Sequence, residues 1–367
     1  MTERRPIFDE IASVRAIALL RILVGPITIV HLWSFLEAAQ PGSYFAERFY
    51  VPFTELWPVL PLEGYRAVLL VGLVAAVLMS AGFLSRLTSV LTLAVVVFNL
   101  FSNQLFFHHN RAFLTTILFG LTLLPAGRAL SVDAWLAKQA GHPLRDEAPM
   151  WRLVLLRALA CTPYLASGFS KLIDPDWWSG VVMYDRISRY RHVAEAKGVP
   201  AWLIDPIATP EFNAVMWKLV VLTELFVGVG YWFRRTRVTA MFMALGFHTL
   251  IEITSTVSVF SYLGIAATLI WVTPRTRDRV LWVRTDEARG RRLARLVRAL
   301  DWLARFDLRE TTQGPTVRVR DRDGTILEGA PARRLVLSRL PPLMPLVTPL
   351  LLLDQWPRRT GQSPQSA

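Results

Sequence analysis

Eight stretches of this chain are apolar over roughly the length that a bilayer crossing needs: 14–36, 65–83, 87–107, 112–126, 151–171, 214–233, 238–254 and 257–273. The fourth and the last two are short. Between them the polar segments alternate in charge. Arg4 and Arg5 precede the first stretch and Arg15 lies at its start, and Arg86 lies between the second and third. Arg128, Lys138 and Arg145 lie between the fourth and fifth, and Arg234, Arg235 and Arg237 between the sixth and seventh. The opposite loops are poorer in cations: 37–64 holds only Arg48, and the turn near 255 holds none. The loop 172–213 sets Arg186, Arg189, Arg191 and Lys197 against acids that include Asp174 and Asp176. By the positive-inside rule, this alternation predicts a multi-pass protein of the cell membrane with both termini cytoplasmic. Arg15 and Arg21 interrupt the first apolar run and no cleavage site follows, so the first span is expected to stay attached.

The pattern changes after residue 274. Residues 285–306 read as a basic amphipathic helix, with Leu293, Leu296, Val297, Leu300 and Leu303 at helical spacing, suited to an anionic inner leaflet. Thr316–Arg320 alternates like a strand, Asp323-Gly324 supplies a turn, and Thr325–Glu328 returns as a hairpin. The apolar stretch 343–353 is too short to span, and 357–367 reads as disordered. The expected fold is therefore an all-α polytopic bundle of about eight transmembrane helices over 1–274. A cytoplasmic basic helix and small hairpin should follow over 275–356, then the tail.

Composition adds the solvent. At 53% hydrophobic and 19% charged, with 13 Trp, the chain is too apolar for an ordinary soluble domain. The net charge of +13 would suit nucleic acid, but the arginines abut spans and lack an aromatic stacking platform, so no nucleic-acid partner is expected. The segment 275–367 alone carries 19 Arg against 10 Asp and Glu. A single cysteine excludes an internal disulfide.

Ionisable side chains inside a bilayer are costly and mark sites or pairs. Here they are Arg21, His31, Arg157, Lys171, Glu224, His248 and Glu252, with His108-His109 at a span end and the amides Asn99, Asn103 and Gln104 beside them. His31, His108, His109, Lys171 and His248 all fall toward the extracytoplasmic ends of their spans, which suggests one pocket, although snorkelling at the interface would give a similar pattern. Adjacent histidines on a helix point about 100° apart, so no metal is expected. Lys171 follows the small residues Ala166, Ser167, Gly168 and Ser170, which let helices approach closely, and precedes Asp174-Pro175 and the interfacial pair Trp177-Trp178. It reads either as a desolvated general base or as a snorkelling lysine paired with Asp174 or Asp176. Glu224, mid-span, reads as an ion-pair partner for Arg157 or as a structural hydrogen-bond acceptor.

The run Ser167-Gly168-Phe169-Ser170-Lys171-Leu172, then Asp176-Trp177-Trp178-Ser179-Gly180, resembles a motif of the vitamin K-dependent γ-glutamyl carboxylases and their bacterial HTTM (horizontally transferred transmembrane domain) relatives. Phe247-His248 and Val259-Phe260-Ser261-Tyr262 resemble that family's next membrane motif. The resemblance spans roughly 10–275. It implies a reduced, vitamin K-like quinone as cofactor, Lys171 as its base and His248 as a hydrogen-bond partner or second acid/base. His31, His108, His109 and Trp177 would line the cofactor site, and a protein glutamate would be the substrate. The family has two adjacent lysines where this chain has Ser170-Lys171, and a large lumenal β-rich region for which 367 residues leave no room. The segment 317–340 resembles the end of DCC-type thiol-disulfide oxidoreductases, without their Cys-x-x-Cys. A transporter or lipid-binding protein, and a non-catalytic membrane scaffold, remain alternative readings of the same polar pocket.

Overall fold

A short strand, β1 (Ile11–Ser13), leads into α1 (Arg15–Ala38), and the helices α2 (Leu62–Ala81), α3 (Ser85–Ser102), α4 (His109–Leu123) and α5 (Val132–Gln139) follow. After β2 (Glu147–Pro149) come α6 (Trp151–Ile173), four short helices α7 (Pro175–Trp178), α8 (Val181–Arg189), α9 (Arg191–Ala196) and α10 (Ala201–Ile204), then α11 (Pro210–Gly230), α12 (Arg237–Thr254) and α13 (Val259–Ala267). The computed structural model describes residues 11–41, 51, 53–149, 151–189, 191–254, 259–272, 277–344 and 346–347. Arg4, Arg5, Arg48, the turn at 255, most of the stretch 343–353 and the tail 357–367 lie outside them. The chain divides into two compact units, Met1–Val272 and Thr273–Ala367.

All eight apolar stretches contain helix. Among the described residues, five helices, α1, α2, α3, α6 and α11, are long and apolar enough to cross a membrane. The other three are α4, α12, and α13 with the 3-10 turn Thr268–Trp271 that continues it. With 15 residues, α4 is roughly 22 Å long against a hydrocarbon core of about 30 Å. Close approach of α1 and α2 depends on Gly25: a Cβ there would sit 2.3 Å from Cβ of Ser80, whose hydroxyl donates to the Ile22 carbonyl at 3.0 Å.

Between α2 and α3 the chain reverses through Gly82, at φ +72°, and Leu84, at φ +45°. A non-glycine residue in the left-handed region is strained, so something must hold it. Asp133, in the first turn of α5, does so. Its carboxylate accepts from the Leu84 and Ser85 amides, both at 2.8 Å, and from the Ser85 hydroxyl at 2.6 Å. Asp133→Ala is therefore expected to lower stability by about 1–2 kcal/mol, the scale of a lost N-terminal cap. Thermal unfolding in detergent would measure this, and Asp133→Asn should recover part of it.

The expectation of an all-α membrane portion needs one correction. β1 and β2 pair antiparallel, Ala12 opposite Ala148, and Arg15 bonds Asp146 at 2.9 Å beside the small apolar cluster Val14, Ala18, Ala129 and Ala148. This pair ties the start of α1 to the start of α6.

The second unit needs a larger correction. It is a four-stranded sheet with two helices, not a peripheral helix and a hairpin. β3 (Arg279–Arg284), α14 (Ala288–Leu300), β4 (Phe306–Thr311), β5 (Val317–Arg320), β6 (Ile326–Glu328) and α15 (Gly329–Arg339) follow in order, and the sheet order is β4-β3-β5-β6. β3 and β4 are parallel, with Leu281 opposite Leu308, and parallel neighbours require a crossover, which α14 supplies. The apolar face of that helix, Leu293, Ala294 and Val297, is accordingly buried against Leu281, Val283, Phe306 and Val319 within the unit. Its arginines, Arg289, Arg292 and Arg295 among them, are exposed. β5 and β6 pair around Asp323-Gly324, with Arg318 opposite Glu328. Burial pushes the Arg305 guanidinium down to about 10, helped by the neighbouring charges of Arg339, Arg279 and Arg322.

Candidate functional site

The last turns of α6 pack against α11 through glycine. A Cβ on Gly168 would come within 2.8 Å of the Leu225 side chain, and one on Gly228 within 2.6 Å of Leu165. On this side of α6, Tyr164, Ser167 and Lys171 recur at intervals of three and four residues and form one stripe. The stripe meets Glu224 of α11. Lys171 Nζ donates to both Glu224 oxygens, at 2.6 and 2.7 Å, and the Ser167 hydroxyl donates to Oε1 at 2.9 Å. The two side chains are 15% and 5% exposed, so this is a buried ion pair. Trp177 covers it, its ring centre 4.9 Å from Nζ.

This assigns both charges partners other than those the sequence suggested. Asp174 caps α7 by accepting from the Asp176 amide at 3.0 Å. Arg157, the partner read for Glu224, donates to the Ile270 carbonyl at 3.0 Å and lies over the Trp271 ring. Two helices that approach as closely as α6 and α11 leave Lys171 and Glu224 facing each other.

His248 lies deeper, fully buried on α12. Its Nε2 is 2.6 Å from the hydroxyl of Tyr164, on the same α6 stripe. Its ring meets Phe260 edge-on at 5.0 Å, and Phe260 in turn meets Phe113 of α4 at 5.9 Å. Gly264 of α13 leaves room for the imidazole; a Cβ there would lie 2.0 Å from Nε2. His248 Nδ1 and the Ser261 hydroxyl are buried without a hydrogen-bond partner among the described residues. Tyr164 and Lys171 lie about two turns apart on one stripe of α6, so the Tyr164–His248 and Lys171–Glu224 contacts lie along the same face across three helices.

The remaining predicted residues divide. His31 is buried on α1, edge-on to Phe35 at 5.2 Å, with Arg111 of α4 over the same Phe35. His108 and His109 are exposed, at the turn between α3 and α4 and not inside a span. His108 caps α4 by accepting from the Asn110 amide at 3.2 Å, and the two imidazoles lie 4.2 Å apart. Among the described residues, no three His, Cys, Asp or Glu side chains group as metal ligands.

Tyr164 was not singled out from sequence, and Ser167 was read only as a small residue that lets helices approach and as part of the motif. Their signal was present, since both share Lys171's helical face.

The described residues thus place a buried acid–base group at one end of a bundle of apolar helices. Comparison with curated proteins and with solved structures finds no match. A family model, the HTTM domain, matches residues 10–275, which takes in every apolar helix described above, and the chain accordingly belongs to the HTTM family of membrane proteins.

Proposed function

We propose that this membrane protein is an acid–base enzyme in which Lys171 takes a proton from a lipid-soluble hydroxyl compound of the reduced-quinone class. The observation that carries this reading is the buried Lys171–Glu224 pair. A lysine is a base only as the neutral amine, and Glu224 is placed to accept the ammonium proton, leaving neutral amine beside neutral acid. The Ser167 hydroxyl stabilises Glu224 while it is charged, and the Trp177 ring covers Nζ and excludes water. Tyr164 and His248 extend the group inward and can hold or return a proton.

The surroundings suit such a ligand. After Lys171, the short helices α8 to α10 and the end of α12 enclose an apolar cavity of about 240 Å³, lined by Ile187, Val199, Leu203, Ile204, Ile207 and Ile253 among others. An apolar cavity of this kind suits the body of an aromatic diol, although Lys171 is not among its lining residues. A reduced quinone, when bound, would supply an acidic hydroxyl proton and two reducing equivalents. His31, His108 and His109 would line its approach. Carboxylase-like use of that chemistry on a glutamyl protein substrate follows from the motif resemblance, and the charge alternation of the loops supports an extracytoplasmic site.

The test is oxygen-dependent consumption of a reduced naphthoquinone by the purified full chain in lipid nanodiscs. Lys171→Ala is expected to reduce the rate by at least about 100-fold, the lower end of general-base contributions. Unchanged turnover would overturn the assignment. The scaffold reading expects the same variant to lose stability while wild-type protein consumes no quinol.

A further inference from the structure

At the opposite end of α6 from Lys171 lies a second cavity, of about 450 Å³, with different chemistry. Its walls come from the start of α3, the end of α4, the 3-10 turn Ala126–Arg128 and the first residues of α6. Arg152 and Lys171 are separated by 19 residues of one helix, roughly 28 Å, so the two sites are independent.

Three arginines line this cavity: Arg86, Arg128 and Arg152. None makes an ion pair among the described residues. Arg128 reaches the Glu147 carbonyl and Arg152 the Leu123 carbonyl, each at a long 3.4 Å, so both guanidiniums can turn toward a better acceptor. The one acid in the wall, Asp133, is already engaged by the Leu84 and Ser85 amides and the Ser85 hydroxyl. The cavity therefore presents three cations against one carboxylate that is already held by its own hydrogen bonds.

The rim is apolar. Leu123, Leu144 and Trp151 are 37%, 42% and 41% exposed beside the arginines. Trp151 supports Arg152 from its ring face at 5.3 Å. A small inorganic anion needs only the cations; a cavity that joins them to exposed leucine and tryptophan at a helix end fits an amphiphile lying in the interface. We propose that this cavity binds the phosphate of an anionic glycerophospholipid, the arginines holding the headgroup and the apolar rim meeting the start of the acyl chains. By the charge asymmetry of the loops, the lipid belongs to the inner leaflet. The volume equals that of about 15 water molecules, enough for a glycerophosphate group with its remaining hydration.

The test uses the purified full chain and native mass spectrometry with phosphatidylglycerol and phosphatidylcholine supplied together. Wild-type protein is expected to retain phosphatidylglycerol preferentially. Arg86→Gln/Arg128→Gln/Arg152→Gln should weaken that preference on the order of 100-fold, and Arg86→Gln alone, at an exposed position that cannot compromise folding, about fivefold. Arg289→Gln/Arg292→Gln/Arg295→Gln removes as much charge from the second unit and should leave the preference intact. Equal losses in the two triple variants would show general charge attraction and overturn the site. An unchanged preference in Arg86→Gln and in the cavity triple would also overturn it. Inorganic phosphate at millimolar concentration should not displace the lipid; if phosphate binds the protein equally well without lipid, the cavity is a phosphate site and the lipid assignment fails. Lys171→Ala should retain the lipid, which keeps this result separable from that of the proton-transfer site.

Discussion

Glu224→Ala is expected to cost about 3–5 kcal/mol, because it leaves the Lys171 ammonium buried without its counter-charge. The penalty follows from the environment more than from the bond. Both side chains are largely withdrawn from solvent. Apart from Glu224, the described group against Nζ is the Trp177 ring, which does not replace a carboxylate. Ser167 would also lose its acceptor. The double variant Lys171→Met/Glu224→Leu removes both charges and is expected to lie within about 1 kcal/mol of wild type, since a buried pair replaced by packed apolar groups of similar volume is often neutral. Thermal unfolding of wild type, Lys171→Met, Glu224→Leu and the double variant in one detergent closes the cycle, with Glu224→Ala beside them. A double variant as unstable as Glu224→Ala would mean that packing, not charge, is lost. Quinol consumption should be absent from every member except wild type, so stability and activity separate in the double variant.

A comparable effect is expected from one methyl group at Gly264. Alanine there would place Cβ 2.0 Å from His248 Nε2 and 2.1 Å from Cε1. The imidazole cannot swing away freely, for Tyr164, Phe247 and Phe260 surround it with ring centres between 5.0 and 5.7 Å. Overpacking of this kind costs about 1–3 kcal/mol, and it breaks the 2.6 Å contact between Tyr164 and His248. Truncating the ring should relieve the clash, so Gly264→Ala/His248→Ala is expected to be more stable than the sum of its parts. Gly246, two residues before His248, provides the contrast. A Cβ there meets nothing within 4 Å, and Gly246→Ala should stabilise α12 by about 0.5–1 kcal/mol. Thermal unfolding that finds the two alanines alike would show that α13 does not crowd His248.

Much of the membrane portion was legible from hydrophobic runs alone, because a helix is the only single segment that satisfies its own backbone in lipid. Helix ends were less so: the third run was read through 107, yet α3 stops at Ser102, where Asn103 turns extended and accepts from the Leu105 amide. Lys171 stood out through its small-residue approach, but its partner did not. Which helix faces which is a tertiary fact, and nothing in the spacing of Glu224 distinguishes Arg157 from Lys171. In the second unit, α14 carried a strong helical period that holds for a membrane-surface helix and for a crossover helix alike. The choice depended on β3 and β4, six residues each and interspersed with arginine, which gave no clean alternation at the sequence level.

The β1–β2 pair sets a clock for assembly. Its two strands are held together by contacts such as Arg15–Asp146, 131 residues apart in the chain. At a synthesis rate of about 5–20 residues per second, the first strand emerges roughly 7–26 s before its partner exists. During that interval α1 through α5 have all been made, and α1 can already pack on α2 through Gly25. The strand pair can therefore close only once those helices have been made, which delays the contact between the start of α1 and the start of α6 until five helices have left the ribosome.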